Sequence, residues 1–332
     1  MTVRLEGWLN RRWYGRPGAL WLMWPLEMLF RGVAALRRRW TRAQACGVPV
    51  IVVGNIAVGG SGKTPAVLAI AKHLQAAGYR PGIVSRGYGG RASHYPLLVN
   101  ADVTPAEAGD EPCLMARRSG LPVAVAPDRV AAAKLLVEQC GCTVIISDDG
   151  LQHYRLARNI EVLLIDGARG FGNGHCLPLG PLREPVVRSA EVDLSICNGS
   201  PKVALPAYLS AHVMTLDGDT LVNISTGERC AVSDWPARRR RVRAIAGIGH
   251  PPRFFAALAA QGFDCISQAF PDHYQYRAED LQHDSNLPLL MTEKDAVKCA
   301  AICPPDSWML PVDARLSSAF YQQLEGLLSK PI

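Results

Sequence analysis

Short apolar runs rich in valine and isoleucine alternate along this chain with longer stretches in which apolar positions return every third or fourth residue. The short runs are Val50 to Val53, Gly82 to Ser85, Pro122 to Ala126, Thr143 to Ser147 and Glu161 to Ile165. They predict strands buried on both faces. Between them, Val67, Leu68, Ile70, Ala71 and Leu74 recur at helical spacing until Gly78, and Arg129 to Cys140 reads as a second helix. This alternation predicts a parallel sheet covered by helices. The pattern resumes with strands Val242 to Ala246, Asp264 to Phe270 and Leu287 to Met291, and with helices Arg253 to Gln261, Glu279 to Asp284, Asp295 to Ala301 and a last one from Ser317. Leu209 to Leu216 and Leu221 to Ser225, parted by Asp217-Gly218-Asp219-Thr220, predict a hairpin bridging the two units.

The first strand runs into Gly54-Asn55-Ile56-Ala57-Val58-Gly59-Gly60-Ser61-Gly62-Lys63-Thr64-Pro65, and a helix follows. Glycines let backbone N–H groups converge on an anion, and a helix N-terminus adds its own positive end. The pattern G-x-x-x-x-G-K-[ST] asks for glycine at position 57, where this chain has Ala57. Strand before and helix after are the context that marks a true phosphate loop. Lys63 is therefore expected to reach the β- and γ-phosphates and Thr64 to hold magnesium. Asn55, Gly59, Gly60, Ser61 and Gly62 would complete the nucleotide cradle.

The expected fold is thus α/β: a P-loop NTPase-like parallel sheet domain at 46–208, a β-hairpin linker at 209–232 and a smaller second α/β domain at 233–332. An N-terminal membrane-associated helix would occupy 1–45. The net charge of +7 over 332 residues sits entirely in that first segment, which carries nine arginines against Glu6 and Glu27. A nucleic-acid binder usually spreads basic residues over its folded domain, so no nucleic-acid partner is expected. The same segment holds Trp8, Trp13, Trp21, Trp24 and Trp40, and tryptophan with arginine beside aliphatic residues is what a bilayer interface selects. Its apolar run Ala19 to Phe30 contains Pro25 and Glu27 and is shorter than the roughly 20 residues of a spanning helix. An uncleaved helix lying in the interface is expected. Ten cysteines without a C-x-x-C pair or a zinc-spaced set read as reduced, cytosolic thiols.

In open parallel sheets chemistry lies beyond the carboxyl ends of strands. There this chain places Arg86-Gly87-Tyr88-Gly89-Gly90, Asp128-Arg129, and Asp148-Asp149-Gly150 followed by Gln152-His153. An apolar strand ending in paired aspartates is the usual second half of a phosphate-loop site, with Asp148 or Asp149 on magnesium. Gly109-Asp110-Glu111-Pro112 reads alone as a helix start with Asp as cap. The Gly- and Pro-rich stretch Gly167 to Pro185 reads as a functional loop able to present Arg183 and Glu184. His273, in Asp272-His273-Tyr274, follows a strand of the second unit.

Taken in order, Gly54-Asn55, GGSGKTP, SRGYGG, GDEP, APDR, SDDGLQH, PLREP, GIG-x-P-x-RFF, DHY and TEKD resemble the tetraacyldisaccharide 4′-kinase family across nearly the whole chain. The resemblance implies transfer of the γ-phosphoryl group of ATP to the 4′-hydroxyl of an acylated glucosamine disaccharide 1-phosphate in lipid A biosynthesis. It also implies work at the cytoplasmic face of the inner membrane, and no protein partner. By similarity Asp110 would be the base that accepts the hydroxyl proton, with His273 orienting or polarising it. Glu111, Arg129, His153, Arg183 and Glu184 match further active-site motifs, the arginines as charge stabilisers and the rest as magnesium or substrate contacts. Two other readings of the phosphate loop are a membrane-bound GTPase or ATPase switch, for which Thr292-Glu293-Lys294-Asp295 is a displaced guanine-type motif, and an ATP-bound assembly module without an acceptor.

Overall fold

The computed structural model describes residues 2–282 and 287–330; residues 283–286, where the expected helix 279–284 ends, lie outside this description. Two helices, α1 (Thr2–Trp13) and α2 (Trp24–Trp40), open the chain and are joined by a 3-10 turn at Gly18–Met23. Then follow β1 (Val50–Gly54), α3 (Lys63–Ala76), β2 (Pro81–Ser85), β3 (Leu97–Val99), α4 (Pro105–Ala108), α5 (Asp110–Ser119), β4 (Val123–Val125), α6 (Arg129–Cys140), β5 (Val144–Asp148), β6 (Ile160–Asp166), β7 (Leu194–Asn198) and β8 (Ala211–Asp217). The second lobe contains β9 (Thr220–Asn223), β10 (Arg229–Ala231), β11 (Arg241–Ala246), α7 (Pro251–Ala260), β12 (Asp264–Ala269), α8 (Ala278–Leu281), β13 (Leu289–Thr292), α9 (Glu293–Cys299) and β14 (Ser307–Leu310). The chain then returns to the first lobe as β15 (Asp313–Arg315) and α10 (Ser318–Leu328).

The first sheet has nine strands in the order β15-β8-β7-β6-β1-β5-β2-β4-β3, parallel except at its two edges. Alternate residues of its central strands feed opposite faces. Ile51, Val53, Ile146 and Val162 meet Val67, Ile70 and Leu74 of α3, whereas Val50, Val52, Ile145 and Leu163 meet Val130, Ala133 and Leu136 of α6. Cutting a fully buried residue such as Ile70 back to alanine would cost about 2–5 kcal/mol. Because β1 lies between β5 and β6, the chain leaves it in both directions across the sheet. A crevice opens at that switch point, beyond the carboxyl ends of the strands.

The expected hairpin at 209–225 does not form. β8 pairs with β7 and β15, burying Met214 in the first core, while β9 pairs with β14 and β10, burying Leu221 in the second. Each strand buries its apolar side chains in the core of its own sheet rather than against its neighbour along the chain. The chain therefore crosses between lobes twice, at 217–220 and 310–313. Phe320 and Leu324 of α10 also pack in the first core, so the last helix belongs with the phosphate loop's sheet rather than with the second unit.

Candidate active site

Register fixes the first contact. Val53, the last apolar residue before the phosphate loop, pairs with Asp148 of β5, which brings the loop and the paired aspartates to one end of adjacent strands. Gly62 caps α3 with φ at +89°, and a Cβ there would run into the Asn198 amide. Asn198 Nδ2 donates to Ser61 O at 2.9 Å, and Asn198 Oδ1 accepts from Arg253 Nη2 at 2.6 Å. Asn55 is buried, donates to Gly59 O at 3.3 Å and accepts from Lys63 Nζ at 3.4 Å. Thr64 is the second residue of α3, and the Ser61 hydroxyl is buried without a partner. Among the described residues only two non-glycines, Asp149 and His273, have left-handed backbone, so Ala57 occupies ordinary space and needs no glycine. Its backbone bridges to Leu182 instead.

The aspartates differ sharply. Asp148 is buried, accepts from Ser85 Oγ at 3.2 Å, and leaves Oδ1 without a partner. Burial, then Glu111 and Asp149, push its carboxyl up to about 7. Asp149 lies 3.6 Å from Lys63 Nζ, and Arg183 Nη1 reaches both of its oxygens at 3.1 and 3.0 Å. Burial opposes its ionisation, but Lys63 and Arg183 outweigh it and hold the carboxyl below its ordinary range. An orphaned buried acceptor beside an ionised carboxylate fits a divalent cation. Among the described residues no three His, Cys, Asp or Glu side chains form a ready-made ion cage, as expected where nucleotide phosphates supply most of the oxygens.

Arg129 is buried beneath this turn, donating to Asp149 O at 2.8 Å and lying 3.4 Å from Ser147 Oγ. Glu184, also buried, accepts from Gln152 Nε2 at 2.7 Å and faces Arg188 Nε at 3.4 Å. Burial and then Arg129 push the His153 imidazole down to about 4, so it is neutral at neutral pH. Arg129, expected as a charge stabiliser, and Glu184, expected as a magnesium or substrate contact, also bond within the protein. They hold the loops that carry Asp149 and Arg183.

The second lobe completes the site. Asp110 is the first residue of α5, capped by Gly109 rather than acting as the cap itself, and its Oδ2 lies 3.3 Å from His273 Nδ1. Tyr88 lays its ring against His273 at 4.9 Å between centroids. Lys294 Nζ donates to Glu111 Oε1 at 2.9 Å and to Asp272 Oδ1 at 3.1 Å. Burial opposes the Lys294 charge, but Glu111 and Asp272 raise its pKa. Glu111 is held below its ordinary range because Lys294, Lys63 and His273 together outweigh burial. Glu111 thus lies within electrostatic range of both Lys63 and Asp148. Gly249 approaches Gly60 so closely that a side chain there would meet the Gly60 amide.

A family model described as Tetraacyldisaccharide-1-P 4'-kinase matches residues 19–329. The chain belongs to this family. It is 51% identical over 314 residues to the tetraacyldisaccharide 4'-kinase of Alkalilimnicola ehrlichii, covering 92% of each chain. It is 48% identical over 329 residues to that of Aeromonas salmonicida, covering 97% of this chain and 96% of the relative. A crystal structure of LpxK from Aquifex aeolicus in complex with ATP superposes with a TM-score of 0.78 at 27% identity, covering 93% of this chain and 99% of that one.

Within this kinase family fold the N-terminal segment is tethered to the body. Glu27 of α2 is buried, accepts from Cys176 N at 2.9 Å and pairs with His175 Nδ1 at 3.0 Å, while Arg38 pairs with Glu191. The opposite face exposes Leu22, Leu26, Leu29, Val33, Leu36 and Trp40, a stripe stepping by four and three residues. Gly18–Trp40 is 23 residues long and, by length and composition, apolar enough to cross a membrane, longer than the run Ala19 to Phe30 implied. Asn198, Arg253 and Lys294 were not among the expected site residues. β7, which carries Asn198, is a five-residue strand whose apolar residues are interrupted by Ser195, and the other two become site residues only when the lobes meet.

Proposed function

We propose that the chain is an ATP-dependent kinase that transfers the γ-phosphoryl group of ATP to the 4′-hydroxyl of a tetraacylated glucosamine disaccharide 1-phosphate, in lipid A biosynthesis. The observation that carries this reading is the contact of Asp110 with His273 across the lobes, with the next residue, Glu111, in electrostatic range of Lys63 and Asp148. Phosphoryl transfer is mostly placement and charge neutralisation. Lys63 and the amides of Asn55 to Thr64 bind the triphosphate. Asp110 takes the proton of the acceptor hydroxyl, and His273 orients the Asp110 carboxylate. Arg183 holds Asp149 in place, and Arg129 holds the turn beneath it. Thr64 with Asp148 or Asp149 would hold magnesium, which when bound neutralises charge on the β- and γ-phosphates.

The membrane role follows from α2. Its outer stripe lies in the interface at the cytoplasmic face of the inner membrane, as a peripheral or monotopic anchor, beside the acylated substrate. A guanine-specific switch is disfavoured by the Thr292-Glu293-Lys294-Asp295 stretch: Asp295 is fully buried, bonded to Gly247 N, Tyr276 and Thr292, and Lys294 faces Glu111. Neither side chain is available to a base. Incubation with γ-labelled ATP and an acylated disaccharide 1-phosphate in mixed micelles tests the proposal. Label in the lipid supports it, and release of free phosphate without lipid labelling refutes it.

A further inference from the structure

A cation from the second lobe, Lys294, reaches the same imidazole as the proposed base and two carboxylates beside it. Lys294 is the second residue of α9, which Thr292 caps, its hydroxyl accepting from Asp295 N at 3.2 Å. Its Nζ lies 2.9 Å from Glu111 Oε1, 3.1 Å from Asp272 Oδ1 and 3.4 Å from His273 Nε2. An ammonium has three donors and no acceptor, and here it meets three acceptors. His273 Nε2 must therefore present its lone pair to Lys294. That leaves the ring proton on Nδ1, the nitrogen 3.3 Å from Asp110 Oδ2.

We propose that Lys294 is a positioning residue that fixes His273 in its Nδ1–H tautomer, so that the ring donates to Asp110 and leaves the carboxylate's other oxygen for the acceptor hydroxyl. The inference rests on Asp110 as base and His273 as its partner. Which nitrogen of a histidine carries the proton is set by what the other nitrogen meets. Here that partner cannot accept a proton from the ring or share one. The backbone of His273 is left-handed, with φ at +59°, a conformation that persists only where its surroundings over-determine it. Lys294 on one ring nitrogen, Asp110 on the other and Tyr88 against the ring face supply that determination. Lys294 and His273 come from the second lobe and Asp110 and Glu111 from the first, so the tautomer and the closed arrangement are held by the same cluster.

Two measurements on the full chain test this. Nitrogen NMR of histidine-labelled protein reads the tautomer directly: His273 is expected with Nδ1 protonated, and a wild-type spectrum showing protonated Nε2 overturns the proposal. In kinetics, Lys294→Met is expected to lower kcat about 10- to 100-fold with ATP affinity unchanged, and to cost less than about 3-fold more in a His273→Ala background, because a residue that acts through another is not additive with it. Losses that multiply in the double variant, or a raised KM for ATP with kcat intact, overturn the proposal. Full turnover by both Asp110→Ala and His273→Ala would instead remove the base assignment on which it stands, a separate result.

Discussion

His273 Nδ1 lies 3.3 Å from Asp110 Oδ2, a contact between a histidine of the second lobe and an aspartate buried in the first. Chemistry at Asp110 then depends on the lobes being together, because the partner that orients its carboxylate arrives only with the second lobe. Asp110→Ala is expected to lower kcat at least ~100-fold, the usual cost of losing a general base. ATP binding, measured by equilibrium titration, should survive. Turnover near wild type in this variant would take Asp110 out of the base role.

Asn198 links two parts of the site: its amide donates to the phosphate loop at Ser61 O, and its carbonyl accepts from Arg253 of the second lobe. Asn198→Asp keeps an acceptor for Arg253 but sets a carboxylate against the Ser61 carbonyl. It is expected to weaken ATP binding about 10-fold or more, since a buried group left unsatisfied costs ~1–3 kcal/mol. Titration with ATP checks this, and an unchanged Kd would show that the loop holds its shape without Asn198.

Much of this architecture was legible in residue patterns, and what was not has a physical explanation. Strand β1, helix α6 and the phosphate loop announce themselves through apolar runs, glycine placement and caps, because these signals lie within a few neighbouring residues. The separation of β8 from β9 was not legible, since Asp217-Gly218-Asp219 suits a hairpin as well as a crossing and only the two sheets decide between them. Asp148 and Asp149 were visible as a pair, yet their opposite shifts arise from the burial of Asp148 with Glu111 near it and from Lys63 and Arg183 outweighing burial at Asp149, surroundings that distant parts of the chain supply. Lys294 was visible only as part of a short motif, and its three acceptors lie on two lobes.

Asp148 carries a stability consequence with a definite sign. Its carboxyl is raised from 3.8 to about 7 in the folded protein, so between those values the folded state binds more protons than the unfolded one. Its contribution to stability is full below the lower value and is lost as pH rises through the upper one. Asp148→Asn removes that loss. In metal-free protein with chelator the variant is expected to unfold at a higher temperature than wild type at about pH 8, by roughly 2–4 °C for each kcal/mol, and to show little advantage at about pH 4. Turnover should fall in the same variant, because the carboxylate that destabilises the empty site is one of those proposed to hold the cation. His153, pushed down to about 4, gives the opposite slope below its ordinary value of 6.5, but it is present in both proteins and cancels in the comparison. An equal difference in melting temperature at both pH values would mean that Asp148 does not titrate in this window.

The outer stripe of α2 makes the membrane proposal testable at single positions. Leu26 and Leu29 are 52% and 64% exposed, on the face opposite buried Glu27. A leucine moved fully from water into an apolar phase contributes about 1.5–3 kcal/mol, and in the interface it goes only part of the way. Leu26→Glu with Leu29→Glu is therefore expected to weaken sedimentation with anionic phospholipid vesicles about 10- to 100-fold. ATP affinity should not change, since neither side chain approaches the phosphate loop. The depth of the helix follows from a second measurement. A helix that lies in the interface keeps Glu27 on Cys176 N and is expected to leave the membrane on alkaline carbonate extraction. A spanning helix would resist extraction, and reaching that state would require breaking both the Glu27 contacts and the Arg38 pair with Glu191, exposing a carboxylate to hydrocarbon. Retention in the carbonate-washed membrane would therefore show that α2 leaves the body of the protein and embeds in the hydrocarbon.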